Sequence, residues 1–328
     1  MSLRSRVEDY LNSLWYSGHR RPPVLLRGLE RVHQGLAGSR HRRPAARPPV
    51  PVIVVGNLCA GGSGKTPTVI ALSQAFKADL RVAVISRGYG GRAPAYPLLV
   101  EAESSAEDSG DEALLIRRAA GVPVIVDPDR ARALHHAIEI CRPQVVISDD
   151  GLQHQGLPRS FEICLFDGGR GVGNGRLLPA GPLRQPLRRL DEVDQVLIKG
   201  QGMRWPGAER FELEPVGFRS LGGVLNADLD AWRGRSATAF CALANPGQFG
   251  ASLERLGITA HLRRFPDHHR YEPTDLEGLG GPLLTTAKDA VKLGQWAREL
   301  DIHVLEVAAR LPTDLVGRLR SHIDQFEP

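Results

Sequence analysis

Between residues 50 and 200, short apolar runs alternate with stretches whose apolar residues recur every three or four positions. The runs 52–56, 81–86, 122–126, 144–148 and 161–166 are five or six residues long and rich in Val and Ile, which predicts buried strands. The stretches 64–78, 111–120 and 129–140 carry the 3.6-residue period and predict helices. Such alternation is the sequence form of βαβ units, so the fold expected is α/β, with a mostly parallel sheet covered by helices. Residues 168–187 break the pattern with six Gly and three Pro, which predicts a long functional loop. A strand-like 193–198 follows, and the alternation of 209–218 suits an exposed hairpin or linking ribbon. From 236 the pattern restarts, with strands expected at 236–243, 259–264, 282–285 and 302–306 and helices at 247–256, 286–299 and 312–324. Three segments are therefore predicted: an arm over 1–47, a larger domain over 48–204, and a smaller α/β domain over 205–328 that begins with a linking ribbon at about 205–225.

Composition matters mainly through where the charge lies. The formal charge of +5 suggests a nucleic-acid partner until it is located. Ten arginines fall within residues 1–47 against Glu8, Asp9 and Glu30, a local charge of +7, and the rest of the chain sums to −2. A basic surface spread over the fold is excluded, so no nucleic acid is expected. The arm reads Leu11, Leu14, Trp15, Tyr16, Val24, Leu25, Leu26, Leu29, Val32 and Leu36, interleaved with Arg20, Arg21, Arg27, Arg31 and Arg40. No run approaches the ~18–20 apolar residues that span a bilayer. The pattern instead predicts an amphipathic helix on an anionic membrane surface, the alternative being a solvated leader helix packed on the body. Cys59, Cys141, Cys164 and Cys241 are scattered without metal-ligand spacing, as in a reducing compartment.

Candidate chemistry begins where the first strand ends. After 52–56 the chain runs through Cys59, Ala60, Gly61, Gly62, Ser63, Gly64, Lys65 and Thr66 into a helical pattern. This is the strand, glycine-rich turn and helix order of a P-loop, with Cys59 where the leading glycine of G-x-x-x-x-G-K-[ST] would stand. Gly61, Gly62 and Gly64 allow backbone N–H groups to converge on phosphate oxygens at a helix N-terminus. Lys65 would neutralise the β/γ-phosphates of a bound nucleotide, and the Thr66 hydroxyl would ligate Mg²⁺. Only five of the 42 basic residues are Lys, so a lysine here marks a place where a compact ammonium is required.

Carboxylates at the carboxyl ends of strands are the next candidates. The run 144–148 leads into Asp149-Asp150-Gly151, followed by Gln153-His154. Two adjacent anions at a strand end invite a cation, although D-D-G is also an ordinary turn. Asp111 and Glu112 fall in the first turn of a predicted helix, and Asp267, His268 and His269 lie in a proline-bounded loop of the smaller domain.

Taken in order, these motifs resemble one family, the tetraacyldisaccharide 4'-kinases, the membrane-associated lipid A kinases of Gram-negative bacteria. The resemblance covers nearly the whole chain: VGNLCAGGSGKTP at 55–67, SRGYGG at 86–91, GDEALL at 110–115, DDGLQH at 149–154, GNGRLLPAGPLR at 173–184, ANP at 244–246, FPDHH at 265–269 and TTAKDAVK at 285–292. The family also lacks the leading P-loop glycine. Gln185 and Ala287 stand where the family carries Glu, which puts in doubt any role for carboxylates there.

The resemblance implies transfer of the γ-phosphate of ATP to the 4'-hydroxyl of a tetraacyldisaccharide 1-phosphate, with Mg²⁺, at the cytoplasmic face of the bacterial inner membrane. It implies Asp111 as the base and His268 as its partner. Thr66, Glu112, Asp149 and Asp150 form the metal pool, and Arg87, Gln153, His154, Arg184, Asn245 and Lys288 are substrate-contact candidates. The partners expected are an acylated disaccharide phospholipid and the membrane surface, with no obligate protein partner. The rival reading is a P-loop GTPase or metallochaperone-type switch, against which stands the lack of an N-K-x-D run for guanine.

Overall fold

The computed structural model describes residues 3–17, 21–39 and 47–327. The strands, in chain order, are β1 (Val52–Gly56), β2 (Val82–Ser86), β3 (Leu98–Val100), β4 (Val124–Val126), β5 (Val145–Asp149), β6 (Phe161–Asp167), β7 (Gln195–Lys199), β8 (Glu209–Ser220), β9 (Leu225–Asn226), β10 (Ser236–Cys241), β11 (Thr259–Arg264), β12 (Leu283–Thr286) and β13 (Ile302–Arg310). They form one sheet in the order β11-β10-β12-β13-β8-β7-β6-β1-β5-β2-β4-β3, with β9 paired to β8. The helices are α1 (Leu3–Tyr16), α2 (Val24–Ser39), α3 (Lys65–Phe76), α4 (Ala106–Ser109), α5 (Asp111–Ala120), α6 (Arg130–Cys141), α7 (Pro246–Arg255), α8 (Pro273–Leu276), α9 (Ala287–Ala290) and α10 (Thr313–Asp324).

β1 lies between β5 and β6 and is parallel to both, with Val55 opposite Asp149 on one side and Ile163 on the other. Ile53 and Val55 share a core with Val69, Leu72 and Phe76 of α3, whereas Val52 and Val54 face Ala133, Leu134 and Ala137 of α6. Cover on both faces is why these strands read as unbroken Val/Ile runs, each fully buried side chain contributing roughly 1.5–3 kcal/mol. The expected mostly parallel α/β fold is the one observed. Two cores likewise flank β10–β13, one around Trp232, Phe249 and Leu253, the other around Phe240, Tyr271 and Ile302.

Of the exposed hairpin and the linking ribbon expected over 209–218, the structure has the second: Glu209–Phe211 of β8 runs parallel to β7, and Glu212–Ser220 runs antiparallel to β13. Burial of Phe211 and Phe218 draws it inside. The helix expected over 286–299 is corrected to α9 and a 3-10 turn at Gln295–Glu299, with Gly294 between them in extended backbone (ψ 179°), which ends the helical path. β3, an antiparallel edge strand on β4, was absent from the sequence reading because three residues carry no period.

In the arm, α1 follows the alternative expected there, a helix packed on the body. Leu14 is buried, the Trp15 indole N–H donates to Pro179 O (3.1 Å), and the Tyr16 hydroxyl donates to Ala60 O (3.3 Å). These aromatic residues hold α1 against the 168–187 loop and the glycine turn, so they are not free for a membrane interface. Glu30 of α2 pairs with Arg176 at 2.5 Å and accepts from Leu177 N at 3.0 Å. The opposite side of α2 keeps Val24, Leu25, Leu29 and Val32 exposed. Arg20, Arg40, Arg42 and Arg43 lie outside the described residues. Among the described residues no helix is long and apolar enough to cross a membrane.

Candidate active site

The glycine turn is built by its neighbours as well as its own sequence. Gly61 (φ +111°) and Gly64 (φ +89°) occupy backbone conformations open to glycine, and Gly64 is the N-cap of α3. Cys59 lines a small hollow together with Gly61, Gly62 and Ser63. Its backbone bridges Leu183, Ala60 N donates to Pro182 O at 2.8 Å, and the thiol is buried near Gly171 O. A leading glycine is therefore unnecessary, because the G-N-G-R-L-L-P-A-G-P-L-R segment pins the first half of the loop. Asn57 pins the second by donating to Cys59 O (2.7 Å) and Gly61 O (3.3 Å), and it accepts from Lys65 Nζ at 3.3 Å. The Ser63 hydroxyl is buried with no hydrogen-bond partner among the described residues, a free donor inside the nest.

Next to the turn, the carboxyl end of β5 presents Asp149 and Asp150 in opposite electrostatic settings. Burial opposes ionisation of Asp150, but Lys65 (3.5 Å) and Arg184 (3.0 Å) outweigh it and bring its carboxyl down to about 2. Asp150 itself sits at φ +50°, a conformation that Asp tolerates better than most residues. Asp149 is pushed up to about 7 by burial, and then by the charges of Glu112 and Asp150. One of its oxygens accepts from Ser86 Oγ at 3.2 Å, and the other, Oδ1, is buried without a partner. An orphaned carboxylate oxygen near two further acids, Glu112 and Asp150, fits a divalent cation. No group of three His, Cys, Asp or Glu among the described residues could hold one unaided. That suits Mg²⁺, which keeps waters and takes one or two carboxylates together with phosphate oxygens.

Across from these groups, the two halves of the sheet meet. His268, in the loop after β11, hydrogen-bonds through Nδ1 to Asp111 Oδ2 at 2.9 Å, and Asp111 opens α5. An ionised carboxylate only accepts, so the imidazole proton resides on Nδ1. Lys288 of α9 reaches Glu112 at 3.0 Å and lies 3.8 Å from Asp111 and 3.9 Å from Asp267. Burial alone would raise the Asp111 carboxyl, but the His268 hydrogen bond and the Lys288 charge hold it below its ordinary value. Burial works against the Lys288 ammonium too, yet Glu112, Asp111 and Asp267 raise it, so both groups are charged at neutral pH. His268 stands at φ +60°, a left-handed conformation costing a non-glycine residue roughly 1–3 kcal/mol, with Tyr89 against its ring at 4.9 Å.

Not every sequence candidate joins this cluster. Gln153 ties the glycine turn to Arg184, donating to Asn57 O at 2.8 Å and accepting from Arg184 at 3.4 Å. Behind it Gln185 is buried, 3.5 Å from the Gln153 amide. The His154 imidazole is depressed to about 4 by burial and by Arg130 and Arg87, leaving it neutral. Arg87 is exposed. Asn245 is the N-cap residue of α7 with no side-chain cap bond, and none of its described contacts reaches the Asp111 cluster. Sequence reasoning missed Asp167, which accepts from Lys199 and Gln248, each at 2.7 Å, a second junction between the halves. Lysine scarcity was the available signal, since Lys199 is one of the five.

Comparison with known proteins converges on a single family. The family model described as tetraacyldisaccharide-1-P 4'-kinase matches residues 24–324. The tetraacyldisaccharide 4'-kinase of Alcanivorax borkumensis is 44% identical over 322 residues, covering 95% of this chain and 97% of that protein. The chain belongs to the tetraacyldisaccharide 4'-kinase family. The Pseudomonas aeruginosa kinase of that name is 43% identical over 299 residues, with 88% and 90% covered. The crystal structure of LpxK from Aquifex aeolicus in complex with ATP superposes with a TM-score of 0.73 at 29% identity, covering 99% of both chains. The GTPase or metallochaperone alternative is not favoured. In this chain the P-loop is joined to the D-D-G turn by the Lys65–Asp150 pair, and Lys288 joins Glu112 to the Asp111–His268 contact.

Proposed function

We propose that this chain is an ATP-dependent kinase that transfers the γ-phosphate to the 4'-hydroxyl of a tetraacyldisaccharide 1-phosphate, giving the 1,4'-bisphosphate lipid A precursor. The observation that carries the reading is the 2.9 Å contact of His268 with Asp111, made between two halves of the sheet beside the P-loop. A sugar hydroxyl becomes a useful nucleophile when a positioned carboxylate accepts its proton, and the rest of phosphoryl transfer is placement and charge neutralisation. Asp111 accepts that proton, and His268 orients and tunes it. Lys65 and Lys288 bring cations to the phosphates from opposite sides, and Arg184 or Arg87 pairs with phosphate oxygens. Asp149, Glu112 and Thr66 would hold Mg²⁺, which neutralises phosphate charge when bound. Held low by His268 and Lys288, Asp111 is a ready acceptor but a weak base. A phosphate that draws Lys288 toward itself returns basicity to Asp111 as the substrate arrives.

The test is transfer of label from radiolabelled ATP to a mixed lipid A precursor extract. Label in a disaccharide lipid is the expected result, and none in the lipid fraction rejects the reading. In thermal shift, stabilisation by guanine nucleotides but not ATP would instead favour the switch alternative.

The exposed face of α2 supports contact with the cytoplasmic surface of the inner membrane. Val24, Leu25, Leu29 and Val32 are 74%, 74%, 47% and 60% exposed on a helix whose other side is fastened by Glu30. A substrate with acyl chains has to be met at a bilayer, and interfacial helices bury such faces at the headgroup boundary. Replacing Leu25 and Leu29 together by Glu is expected to weaken binding to anionic phospholipid vesicles by ~10-fold or more, from the burial lost, and to raise KM for lipid alone. Undiminished vesicle binding by the double variant would remove α2 from the membrane contact.

A further inference from the structure

We infer that Asp289 is a positioning residue for phosphate transfer, holding His268 and Lys288 in register with Asp111 and Glu112; the inference rests on the kinase reading above. Asp289 is fully buried. Its carboxylate accepts from Ala242 N at 3.1 Å, the Tyr271 hydroxyl at 3.1 Å and Thr286 Oγ1 at 2.7 Å, and it pairs with Lys292 at 2.7 Å. Lys292 would suffice to neutralise a buried charge. The other three donors come from three separate segments and fix geometry.

Ala242 follows β10 and leads into Ala-Asn-Pro, Tyr271 closes the F-P-D-H-H-R-Y loop, and Thr286 ends β12 and caps α9. Two of these segments carry the small half's contribution to the site. Lys288 is the residue before Asp289, so the backbone that aims its ammonium at Glu112 is the backbone that the buried carboxylate anchors. His268 is three residues before Tyr271 and sits in a left-handed conformation, which persists only when its surroundings over-determine it. The loop is fastened around it. His268 N donates to Asp267 Oδ1 at 3.1 Å, His269 meets Asp275 at 2.8 Å and stacks on Phe265 at 4.7 Å, and Tyr271 packs edge-on against Phe240 at 5.4 Å. Burial and the Asp289 charge push the Tyr271 phenol up, so it stays a donor across the working pH range. The hydroxyl-to-carboxylate bond is thus the buried hydrogen bond that ties the His268 loop to the Lys288 helix, beside the longer Lys288–Asp267 pair.

Tyr271→Phe removes that bond and keeps the ring. It is expected to lower kcat by ~10-fold with KM for ATP unchanged, the effect of a misplaced catalytic contact. Asp289→Asn keeps an oxygen for Ala242 and Tyr271 and an N–H for Thr286, so kcat is expected to stay within about threefold of wild type, whereas Asp289→Ala loses ~10²-fold. This rescue by the amide separates positioning from charge, and the kcat-against-KM split separates it from loss of folded protein. Wild-type kcat in Tyr271→Phe, or Asp289→Asn as inactive as Asp289→Ala, overturns the role; should an Asp289 variant not fold, Tyr271→Phe decides alone. Failure of the wild-type protein to phosphorylate the lipid would overturn the kinase reading, whereas an unaffected Tyr271→Phe beside an active wild type overturns only this inference.

Discussion

Asp111→Ala is expected to bind ATP as the wild type does and to lose turnover by ~10²-fold or more, the usual contribution of a general base. The two halves of that result have separate structural causes. On the proposed reading ATP affinity rests on Gly61, Gly64, Ser63 and Lys65, which are fastened by Asn57 and the 177–184 segment rather than by Asp111. On the same reading turnover rests on a carboxylate that is 4% exposed, ionised, and hydrogen-bonded by the opposite half of the sheet. Lys288 retains Glu112 at 3.0 Å when Asp111 is removed, so its ammonium is not left unpaired and the junction persists. Asp111→Asn sharpens the test, because the amide oxygen can still accept from His268 Nδ1 while the group no longer takes a proton. Calorimetric ATP binding and single-turnover labelling of the lipid measure the two quantities separately. Unchanged phosphate transfer in either variant removes Asp111 from the mechanism, and loss of ATP binding in both would make it a structural acid.

How much of this was legible in the sequence depended on whether a function was written within one segment or between several. The strand, turn and helix around Lys65 were legible because their order is local and their chemistry contiguous. Asp149-Asp150 was visible as a pair, but its division into an acid brought down to about 2 and another pushed up to about 7 was not, because the cause is the placement of Lys65, Arg184 and Glu112. Cys59 looked like a gap in the P-loop motif, and only the bridge to Leu183 shows that the segment 173–184 does the fastening a glycine does elsewhere. Asp289 was invisible as a functional residue, since four partners spread from Ala242 to Lys292 leave no spacing to read. The arm was half legible. Its amphipathic pattern was clear, but the pattern alone could not say that Leu14, Trp15 and Tyr16 face the protein while Leu25 and Leu29 face outward.

Gly91→Ala, at a position that touches no side chain of the site, is expected to lower turnover by ~10²-fold while leaving ATP affinity intact. A methyl group at Gly91 would meet Gly110 N at 2.5 Å, Asp108 O at 2.6 Å and the Ser109 carbonyl carbon at 2.9 Å. All three are backbone atoms, which cannot swing aside as a flexible side chain would. The approach is close because the S-R-G-Y-G-G turn lies directly on the junction of α4 and α5, with Arg92 N donating to Glu107 O at 2.7 Å. Gly110 reciprocates, since a methyl there would meet Tyr89 O at 2.7 Å from its own left-handed position at φ +83°. The glycines of SRGYGG and of GDE are thus two sides of one backbone contact, and Asp111 and Tyr89 are the side chains it sets. Forcing the contact apart by a few tenths of an ångström or more shifts the start of α5, and with it Asp111 and Glu112, away from His268 and Lys288. The P-loop hangs from β1 and is spared. Gly317→Ala, where the added methyl meets nothing within 4 Å, is the control and is expected to turn over normally. Wild-type kcat in Gly91→Ala, in protein that melts at the wild-type temperature, would show that the base tolerates displacement, and the closely packed glycines would then need another explanation.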